Sequence, residues 1–231
     1  HHDHMAGLVT VAVVDIGTIS TRLCVADPSG ALVRDARVTH TGEEVKASNR
    51  IADAALDRLA ACLADYRAQI ERTAAGAEVR VVSTAVARLA ENVDALDRCV
   101  REQLGVGVEV LSGPREAELG FAGVAGGLDR SAVDDRGMML VIDVGGGSSE
   151  FSLGTIAGGY ERGFSADVGA SVLTDAYLHS DPPQADELSA ALSIVELHIA
   201  DVRREVSGLA DALGPSGEVV GVGGHISTLA A

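Results

Sequence analysis

The chain has 231 residues, of which 47% are hydrophobic and 23% charged, a balance typical of a globular protein. Its formal net charge is −16, from 34 acidic and 18 basic side chains. This excludes a broad basic face for nucleic acid and disfavours binding to an anionic membrane. Aromatic residues make up only 3% and tryptophan is absent, which disfavours a stacking platform for single-stranded nucleic acid. An anionic substrate must therefore be held by backbone amides, a few arginines or a metal ion.

Targeting signals are absent from the sequence, which predicts a cytoplasmic protein. Residues 1–7 are interpreted as a tag remnant and leader. No apolar run approaches the ~20 residues that a membrane-spanning helix needs. The three cysteines, Cys24, Cys62 and Cys99, lack the spacing of metal ligands and are expected to be buried, reduced thiols.

Hydrophobic patterning in the first part of the chain predicts three strands in a meander, followed by alternating helices and strands. From Ile51 the apolar spacing changes to three and four residues, which is typical of an amphipathic helix. The predicted elements are strands at 8–14, 22–26 and 31–39, a helix over 51–70, a strand at 78–82, a helix capped by Asn92, a strand at 106–111, and a helix that begins at Ser112-Gly113-Pro114 and ends at Gly126-Gly127.

The second part of the chain repeats the opening of the first. Val13-Val14-Asp15-Ile16-Gly17 and Val141-Ile142-Asp143-Val144-Gly145 have the same pattern at an offset of 128 residues. In each, a buried strand ends in D-x-G and enters a tight turn. Two such turns at a domain-sized offset predict a duplicated fold, with a boundary near residue 125. The remaining predicted elements are strands at 138–142, 151–153 and 219–222 and a long helix after residue 183.

Both repeated turns suit a phosphate group. Glycine lets backbone N–H groups approach a phosphate closely, because no Cβ intervenes. The aspartate at the strand end offers a carboxylate to Mg²⁺, which takes oxygen ligands and keeps several waters. Two such turns facing each other across a cleft would clamp one phosphoryl group. Either turn alone is equally consistent with a tight hairpin that serves only the chain topology.

Four segments, in this order, resemble the exopolyphosphatase/guanosine pentaphosphate phosphatase family: DIGTISTR, SGPREAELGF, VIDVGGGSSEFSLG and GVGGHISTLAA. The resemblance implies an actin-like α/β fold with mixed β-sheets flanked by helices. Its two ribonuclease H-like lobes would span residues 8–125 and, as a partial lobe, 126–231. It also implies Mg²⁺-dependent hydrolysis of the terminal phosphoanhydride of inorganic polyphosphate or guanosine pentaphosphate, with release of orthophosphate.

The resemblance further implies roles for individual residues. Glu116 falls where the family has the glutamate that activates the attacking water, and Glu150 matches a second glutamate near the metal and the water. Asp15, Asp143 and Glu150 match positions that face Mg²⁺. The predicted substrate-binding residues are Gly17, Thr18, Ser20, Arg22, Arg88, Gly145, Gly146, Gly147, Ser148, Ser149, Gly223 and Gly224.

The chain departs from the family pattern at several places. Ile19 replaces an amide side chain in the first turn, and His40 lies in a stretch where an arginine–leucine pair is common. Leu89 replaces an acidic residue, and His225 replaces a small hydroxyl residue. The sequence also ends where family members continue with helices that finish the second lobe. We therefore expect a truncated form that is less processive on long polyphosphate chains.

Two other functional classes stay open. The turns at Asp15 and Asp143 fit an ATP-binding actin-like kinase or ATPase equally well, and the segment SGPREAELGF is what favours the phosphatase over that class. A non-catalytic phosphate- or alarmone-binding module would use the same turns without turnover. The expected partner is a small anionic substrate, not nucleic acid or membrane, and the resemblance implies a homodimer.

Overall fold

The computed structural model describes residues 9–129, 134, 136–206, 213–214 and 217–230. The interpretation of residues 1–7 as a tag remnant and leader lies outside these residues. The chain divides into two compact units, His1–Leu111 and Ser112–Ala231. The boundary thus falls at Leu111, not near residue 125 as predicted, because the helix that follows it packs on strands of the second unit.

The first unit is a five-stranded mixed sheet with helices. The strand order is β3-β2-β1-β4-β5; the first three strands are antiparallel, and β4 runs parallel to both β1 and β5. Its elements are β1 (Val11–Ile16), β2 (Ser20–Asp27), β3 (Gly30–Val38), α1 (Val45–Ser48), α2 (Asp53–Thr73), β4 (Glu78–Ser83), α3 (Ala85–Leu89), α4 (Val93–Leu104) and β5 (Val108–Val110).

One face of this sheet is covered by α2 and α4. Alternate residues of β1, namely Ala12, Val14 and Ile16, are fully buried in the same cluster as the apolar stripe of α2. The helical spacing that began at Ile51 is confirmed, since that stripe consists of Ala55, Leu59, Cys62, Leu63, Tyr66 and Ile70. The opposite face, which carries Val13 with 36% exposure, stays accessible.

Asn92 occupies the N-cap position of α4 as predicted, but its side chain makes no capping hydrogen bond. Its side-chain oxygen accepts a hydrogen bond from the Ile51 amide at 2.9 Å, and its side-chain nitrogen donates to the Ile51 carbonyl at 3.0 Å. Because both ends of this buried amide are bound to one distant residue, it is not available to the first turn of α4.

The second unit repeats the same meander. In the part of the chain that is described, its sheet has four strands in the order β8-β7-β6-β9, with β6, β7 and β8 antiparallel and β9 parallel to β6. Its elements are α5 (Gly113–Gly127), β6 (Met139–Val144), β7 (Ser149–Thr155), β8 (Gly159–Ala166), α6 (Ala170–Tyr177), α7 (Ala185–Glu205), β9 (Glu218–Val222) and α8 (Gly224–Ala230).

Helices cover both faces of the second sheet. Leu140 packs in a cluster with Val202 of α7, whereas Met139 and Val141, which point to the other face, pack with Phe121 of α5. The matching strand order in the two units confirms the predicted duplication and the α/β fold class with mixed sheets. The short helices α1, α3, α6 and α8 and the strand β8 were not predicted, because they lack a clear apolar period.

Two further sequence predictions bear on the class of protein. Among the described residues, no helix has the length and apolar character needed to cross a membrane. The three cysteines are free thiols, with Cys62 and Cys99 buried as predicted and Cys24 only half-buried. Burial raises the pKa of the Cys62 and Cys99 thiols, which keeps both protonated at neutral pH.

Candidate active site

Each repeated turn is a tight hairpin closed by the same hydrogen bond. The Gly17 amide donates to the Ser20 carbonyl and the Gly145 amide to the Ser148 carbonyl, both at 3.0 Å. A Cβ added at Gly17 or Gly145 would lie 3.1 or 3.0 Å from that same carbonyl oxygen, so both positions favour glycine. The repeated sequence pattern therefore encodes a repeated backbone conformation.

The second hairpin is held by helix α6. The carbonyl oxygens of Gly145 and Gly146 accept hydrogen bonds of 3.0–3.2 Å from the first three amides of that helix. Gly169, just before α6, permits this approach, because a Cβ there would lie 2.7 Å from the Gly145 oxygen. In a trans peptide the N–H points opposite to the C=O, so the amides of Gly146 and Gly147 face away from α6. Adjacent backbone N–H groups of this kind can bind an anion.

The first hairpin is held differently. Three amides of segment 39–42, the chain that follows β3, donate to the carbonyl oxygens of Thr18 and Ile19 at 2.8–2.9 Å. The same peptide geometry makes the amides of Ile19 and Ser20 face away from that segment. Ile19 therefore contributes through its backbone, and the loss of an amide side chain at this position leaves the anion-binding amides in place.

The two hairpin aspartates face different partners. Asp15 lies directly across the ladder from Arg22, and the two form an ion pair of 3.5 Å between Oδ2 and Nη1. Asp143 lies directly across from Glu150. Arg22 and Glu150 are themselves 128 residues apart, so they occupy one duplicated position with opposite charges.

Carboxylates gather in the second unit around Glu150, which is only 4% exposed. Burial, with the charge of Glu116 and, more weakly, that of Asp143, raises the pKa of Glu150 to about 7. Ser165 Oγ donates to Glu150 Oε1 at 2.7 Å, and the Ser148 hydroxyl also bonds this carboxyl, which limits the rise. The structure therefore brings together Glu116, Asp143 and Glu150, three residues predicted separately from the sequence.

Helix α5 carries Glu116 in its first turn. It packs on the sheet face that bears Asp143 and Glu150, where Ser152 Oγ of β7 donates to the Ala117 carbonyl at 2.9 Å. The predicted start of this helix is confirmed, because Ser112 accepts a hydrogen bond from the amide of Arg115 at 3.4 Å. Near the positive end of the helix, a carboxylate is electrostatically favoured.

The middle of α5 reaches the sheet through Phe121, which is fully buried. A Cβ at Gly154 of β7 would lie 2.8 Å from the Phe121 ring, so the absence of a side chain there admits the ring. The Tyr160 ring meets Phe121 edge-on, with 6.3 Å between ring centroids. These contacts set the depth at which α5, and with it Glu116, rests on the sheet.

The predicted glycine pair after β9 lies beside Asp143. Gly223 has a φ of +95°, and a Cβ there would lie 2.8 Å from Asp143 Oδ1 and from the Val144 carbonyl oxygen. Gly224 then opens α8, and His225 follows it half-buried. A side chain at position 223 would therefore press against the aspartate.

The two hydroxyls of the second hairpin do not both point toward a ligand. Ser149 is buried and its Oγ donates to the Val168 carbonyl at 2.6 Å. That hydroxyl proton is used within the protein, and the role of Ser149 in substrate binding stays a prediction. The Ser148 hydroxyl is directed at Glu150, so its contribution to the site acts through that carboxyl.

The two predicted arginines both belong to the first unit. The Arg22 side chain is 50% exposed beside Asp15. Arg88 is half-buried in the last turn of α3, and its Nη1 donates to the Leu111 carbonyl at 2.9 Å. This bond uses one of the five N–H donors of the guanidinium, and the role of Arg88 in anion binding stays a prediction. Leu89 beside it is exposed.

The donor set of the second unit suits Mg²⁺. Within the described ranges, no group of three or more His, Cys, Asp and Glu side chains is arranged to hold a metal ion. Mg²⁺ at phosphate sites, however, uses one or two carboxylates together with waters and the phosphates themselves. Asp143 and Glu150 offer such oxygens, and a cation would offset the charge repulsion that raises the pKa of Glu150. The predicted opposition of the two hairpins across a cleft stays a prediction.

Sequence reasoning missed Ser165, which forms a row with Asp143 and Glu150 across three strands. It was missed because β8 was not predicted. The turn at Gly158-Gly159 was a usable signal, since glycine pairs between two strands indicate a hairpin. An antiparallel partner of β7 would have placed Ser165 near Glu150.

A duplicated α/β unit with a glycine hairpin after the first strand of each copy defines a mixed α/β protein whose exposed hairpin amides can bind an anion. The sequence match is more specific than this class. The chain belongs to the Ppx/GppA phosphatase family, with residues 24–230 matched.

Known relatives agree with this assignment. The chain is similar to Exopolyphosphatase 2 of Mycobacterium tuberculosis, with 34% identity over 237 residues that cover 97% of this chain and 70% of that protein. It is also similar to the crystal structure of an exopolyphosphatase-like protein, with a TM-score of 0.86, 31% identity, and coverage of 96% of this chain and 68% of the other. A third match, the Aquifex aeolicus PPX-GPPA enzyme, has a TM-score of 0.72, 27% identity, and coverage of 97% and 71%.

Proposed function

We propose that this protein hydrolyses the terminal phosphoanhydride of inorganic polyphosphate and releases orthophosphate. The observation that supports this most directly is the grouping of Glu116, Asp143 and Glu150 beside an amide-lined hairpin. Family membership and the similarity to Exopolyphosphatase 2 support the same reaction. The reaction needs a site that neutralises phosphate oxygens and a carboxylate that activates water, and these residues supply both.

The phosphate would be held by backbone amides and arginines. In the second hairpin the amides of Gly146 and Gly147 face away from α6, and in the first the amides of Ile19 and Ser20 face away from segment 39–42. Arg22 would add a cationic side chain. These groups act over short distances, since salt screens charges beyond about 8–10 Å, so the net charge of −16 does not prevent anion binding.

Glu116 would orient and deprotonate the attacking water. It is half-buried in the first turn of α5, near the more deeply buried Glu150, whose pKa is raised to about 7 by burial and by the charge of Glu116. A carboxyl with a pKa near neutrality can both hold and release a proton at the working pH. Glu150 would also fix the conformation of the second hairpin through its hydrogen bonds with Ser148 and Ser165.

Asp143 and Glu150 are the residues of the second unit that would hold Mg²⁺, and Asp15, which the resemblance also matches to a position facing Mg²⁺, belongs to the first unit. When bound, the ion would supply positive charge to the phosphate oxygens and lower the cost of ionising Glu150. Asp15 lies across the ladder from Arg22, with which it forms an ion pair, whereas Asp143 lies across from a second carboxylate, Glu150. We therefore expect Asp143 to contribute more to metal affinity than Asp15.

A comparison of substrates tests the proposal. The native chain is incubated with inorganic polyphosphate, with guanosine pentaphosphate and with ATP, each with and without Mg²⁺, and orthophosphate release is measured. Release from polyphosphate that requires Mg²⁺ supports the proposal, and release from guanosine pentaphosphate would extend it to that substrate. ATP binding without cleavage of polyphosphate would favour a kinase or ATPase, and phosphate binding without any turnover would favour a non-catalytic relative. A cytoplasmic location and a homodimer are also proposed.

A further inference from the structure

Segment 39–42 is the structural support of the first hairpin. It donates three backbone hydrogen bonds to the Thr18 and Ile19 carbonyls. Gly42 lies so close to that loop that a Cβ there would fall 3.1 Å from the Thr18 Cα. The direction of the Ile19 and Ser20 amides therefore depends on where this segment is held.

The segment itself does not have a regular conformation. His40 has a φ of +47°, in the left-handed region that disfavours a residue with a Cβ. Such a conformation persists only where surrounding contacts determine it. One contact is a buried chain of hydroxyls, in which Thr39 Oγ1 lies 2.9 Å from both Thr21 Oγ1 and Thr41 Oγ1.

The second support is the guanidinium of Arg58 from α2. Its Nε donates to the Thr39 carbonyl at 2.9 Å, and its Nη2 donates to the His40 carbonyl at 3.2 Å. The same Nη2 also bonds Glu43 Oε2 at 2.6 Å. One planar group thus holds the two carbonyls on either side of the strained residue.

Arg58 is well placed to transmit rigidity, because its helix is fixed in the core. Ala55 and Leu59, on the buried face of α2 next to it, are both 0% exposed. The Arg58 side chain extends from this fixed backbone to segment 39–42, which in turn holds the hairpin. The buried helix α2 therefore fixes the Arg58 guanidinium, which holds the carbonyls of Thr39 and His40. The amides of the same segment then hold the first hairpin.

We propose that Arg58 is a positioning residue, which keeps the Ile19 and Ser20 amides directed at the bound phosphate by fixing segment 39–42. This inference rests on the proposed function of the hairpin. Arg58 touches no substrate itself in this proposal, and it acts through the segment alone.

The test compares Arg58→Ala and Arg58→Lys with the native chain. A lysine keeps the charge but cannot form the planar fork, so it should bond fewer of the three oxygens. We expect Arg58→Ala to weaken inorganic phosphate binding by about tenfold or more, as for the loss of charged hydrogen bonds. The KM for polyphosphate should rise by a similar factor while kcat changes less, because the amides bind ground state and transition state alike.

Two readouts separate positioning from a general loss of structure. Backbone ¹⁵N resonances of Ile19 and Ser20 should shift when inorganic phosphate is added to the native chain, and these shifts should diminish in Arg58→Ala. Millimolar guanidinium should partly restore phosphate binding to that variant, whereas urea at the same concentration should not. Arg67→Ala is the matched control, because Arg67 lies on the same helix, is 60% exposed and forms an ion pair with Glu71, four residues along that helix.

The outcomes distinguish this inference from the proposed function. Native phosphate affinity and unchanged Ile19 and Ser20 shifts in a folded Arg58→Ala would overturn the positioning role. If that variant does not fold, Arg58→Lys carries the test, and native phosphate binding in Arg58→Lys would overturn the role. A native chain that binds phosphate at these amides but does not cleave polyphosphate would overturn the proposed function and leave the Arg58 comparison valid. A native chain without phosphate shifts at these amides would overturn both.

Discussion

The two hairpins share a backbone and differ in what lies around it. Both are closed by a 3.0 Å bond between glycine and serine, but the aspartate of the first faces Arg22 and that of the second faces Glu150. The sheet face that carries Asp15 also carries the exposed Val13, whereas the face that carries Asp143 is covered by α5. This difference in burial accounts for the different electrostatics of the two sites. Arg22 and Asp15 stay partly solvated, whereas burial raises the pKa of Glu150.

This comparison indicates how a duplicated fold can divide its work. The hairpin backbone is kept in both units, and in each unit a neighbouring segment holds it by donating hydrogen bonds to its carbonyl oxygens. The facing side chain and the layer above it have diverged, so one unit offers a cation and the other offers carboxylates with altered proton affinity. The following experiments, from the largest expected effect to the smallest, test this division.

The largest effect should come from Glu116→Gln in the covered unit. Removing the base that activates water should lower kcat for polyphosphate by about 100- to 10,000-fold. The measurement is orthophosphate release at saturating substrate. Glu118→Gln is the control, because Glu118 lies on the same helix and pairs with Arg115 at 2.7 Å on the surface. Equal rates of orthophosphate release in the two variants would contradict the proposal that Glu116 activates the attacking water.

The pH dependence of stability should be carried by Glu150 and not by its duplicate, Arg22. The raised pKa of Glu150, about 7, means that the folded chain binds an extra proton between pH 4.5 and 7. Stability from this group is therefore full below pH 4.5 and is lost as the pH rises through 7, by roughly 3 kcal/mol.

Urea unfolding at several pH values, in the absence of divalent ions, measures this effect. Glu150→Gln should remove that part of the pH dependence and should be more stable than the native chain at pH 8. Arg22→Gln should retain it. The interpretation fails if the native slope persists in Glu150→Gln.

Mg²⁺ should stabilise the chain mainly through the second unit. At a concentration about 100 times the Kd, a ligand that binds only the folded state raises the unfolding free energy by roughly 2.7 kcal/mol. We expect Asp143→Asn to abolish most of this gain and Asp15→Asn to abolish less of it, because Asp15 is paired with Arg22. Thermal unfolding with Mg²⁺ and with a chelator gives the comparison, and equal losses would contradict it.

The supports of the two hairpins should differ in their tolerance of a methyl group. A Cβ at Gly169 meets the carbonyls of the second hairpin, whereas one at Gly42 meets Thr18, chiefly its side chain. We expect Gly169→Ala to cost roughly 2–3 kcal/mol and Gly42→Ala about 1–2 kcal/mol. Unfolding free energies in urea test the order, and a greater cost at Gly42 would reverse the comparison.

The smallest effect should be a gain. A Cβ at Gly120 of α5 meets no atom within 4 Å. Gly120→Ala should therefore stabilise the second unit by about 0.5–1 kcal/mol, through helix propensity and a less flexible unfolded chain. A loss of stability in the urea unfolding of this variant would mean that α5 is packed more tightly than its described contacts indicate.

Local pattern was enough to predict most of the fold. The strands around Asp15 and Asp143, the helices α2, α5 and α7, and the duplication were all visible as apolar periods and turn residues. The ends shifted by a few residues. For example, β1 extends to Ile16 because Asp15 and Ile16 pair with Arg22 and Thr21 across the ladder.

The site was only partly predictable, because its most informative contacts join distant residues. The sequence gives no sign that the Ser149 hydroxyl donates to the Val168 carbonyl, or that the side chain of the N-cap residue Asn92 bonds Ile51 and not the first turn of α4. The contact between Arg58 and the Thr39 carbonyl spans 19 positions and has no local sequence signal. The offset of 128 residues between the two repeats shows from the sequence that Arg22 and Glu150 occupy equivalent positions with opposite charges. Only the strand register shows that each of them faces the aspartate of its own hairpin.

The absence of a side chain at Gly154 affects how substitutions in this protein are interpreted. A Cβ there would lie 2.2 Å from the Gly159 carbonyl oxygen and 2.8 Å from the Phe121 ring, so a larger residue would disturb both the β7–β8 turn and the ring on which α5, with Glu116, packs. Such a change would alter turnover while every charged residue and every hairpin glycine remained as before. A natural variant can therefore lose activity through a substitution at Gly154, in the strand on which α5 packs, although this position belongs to none of the family motifs.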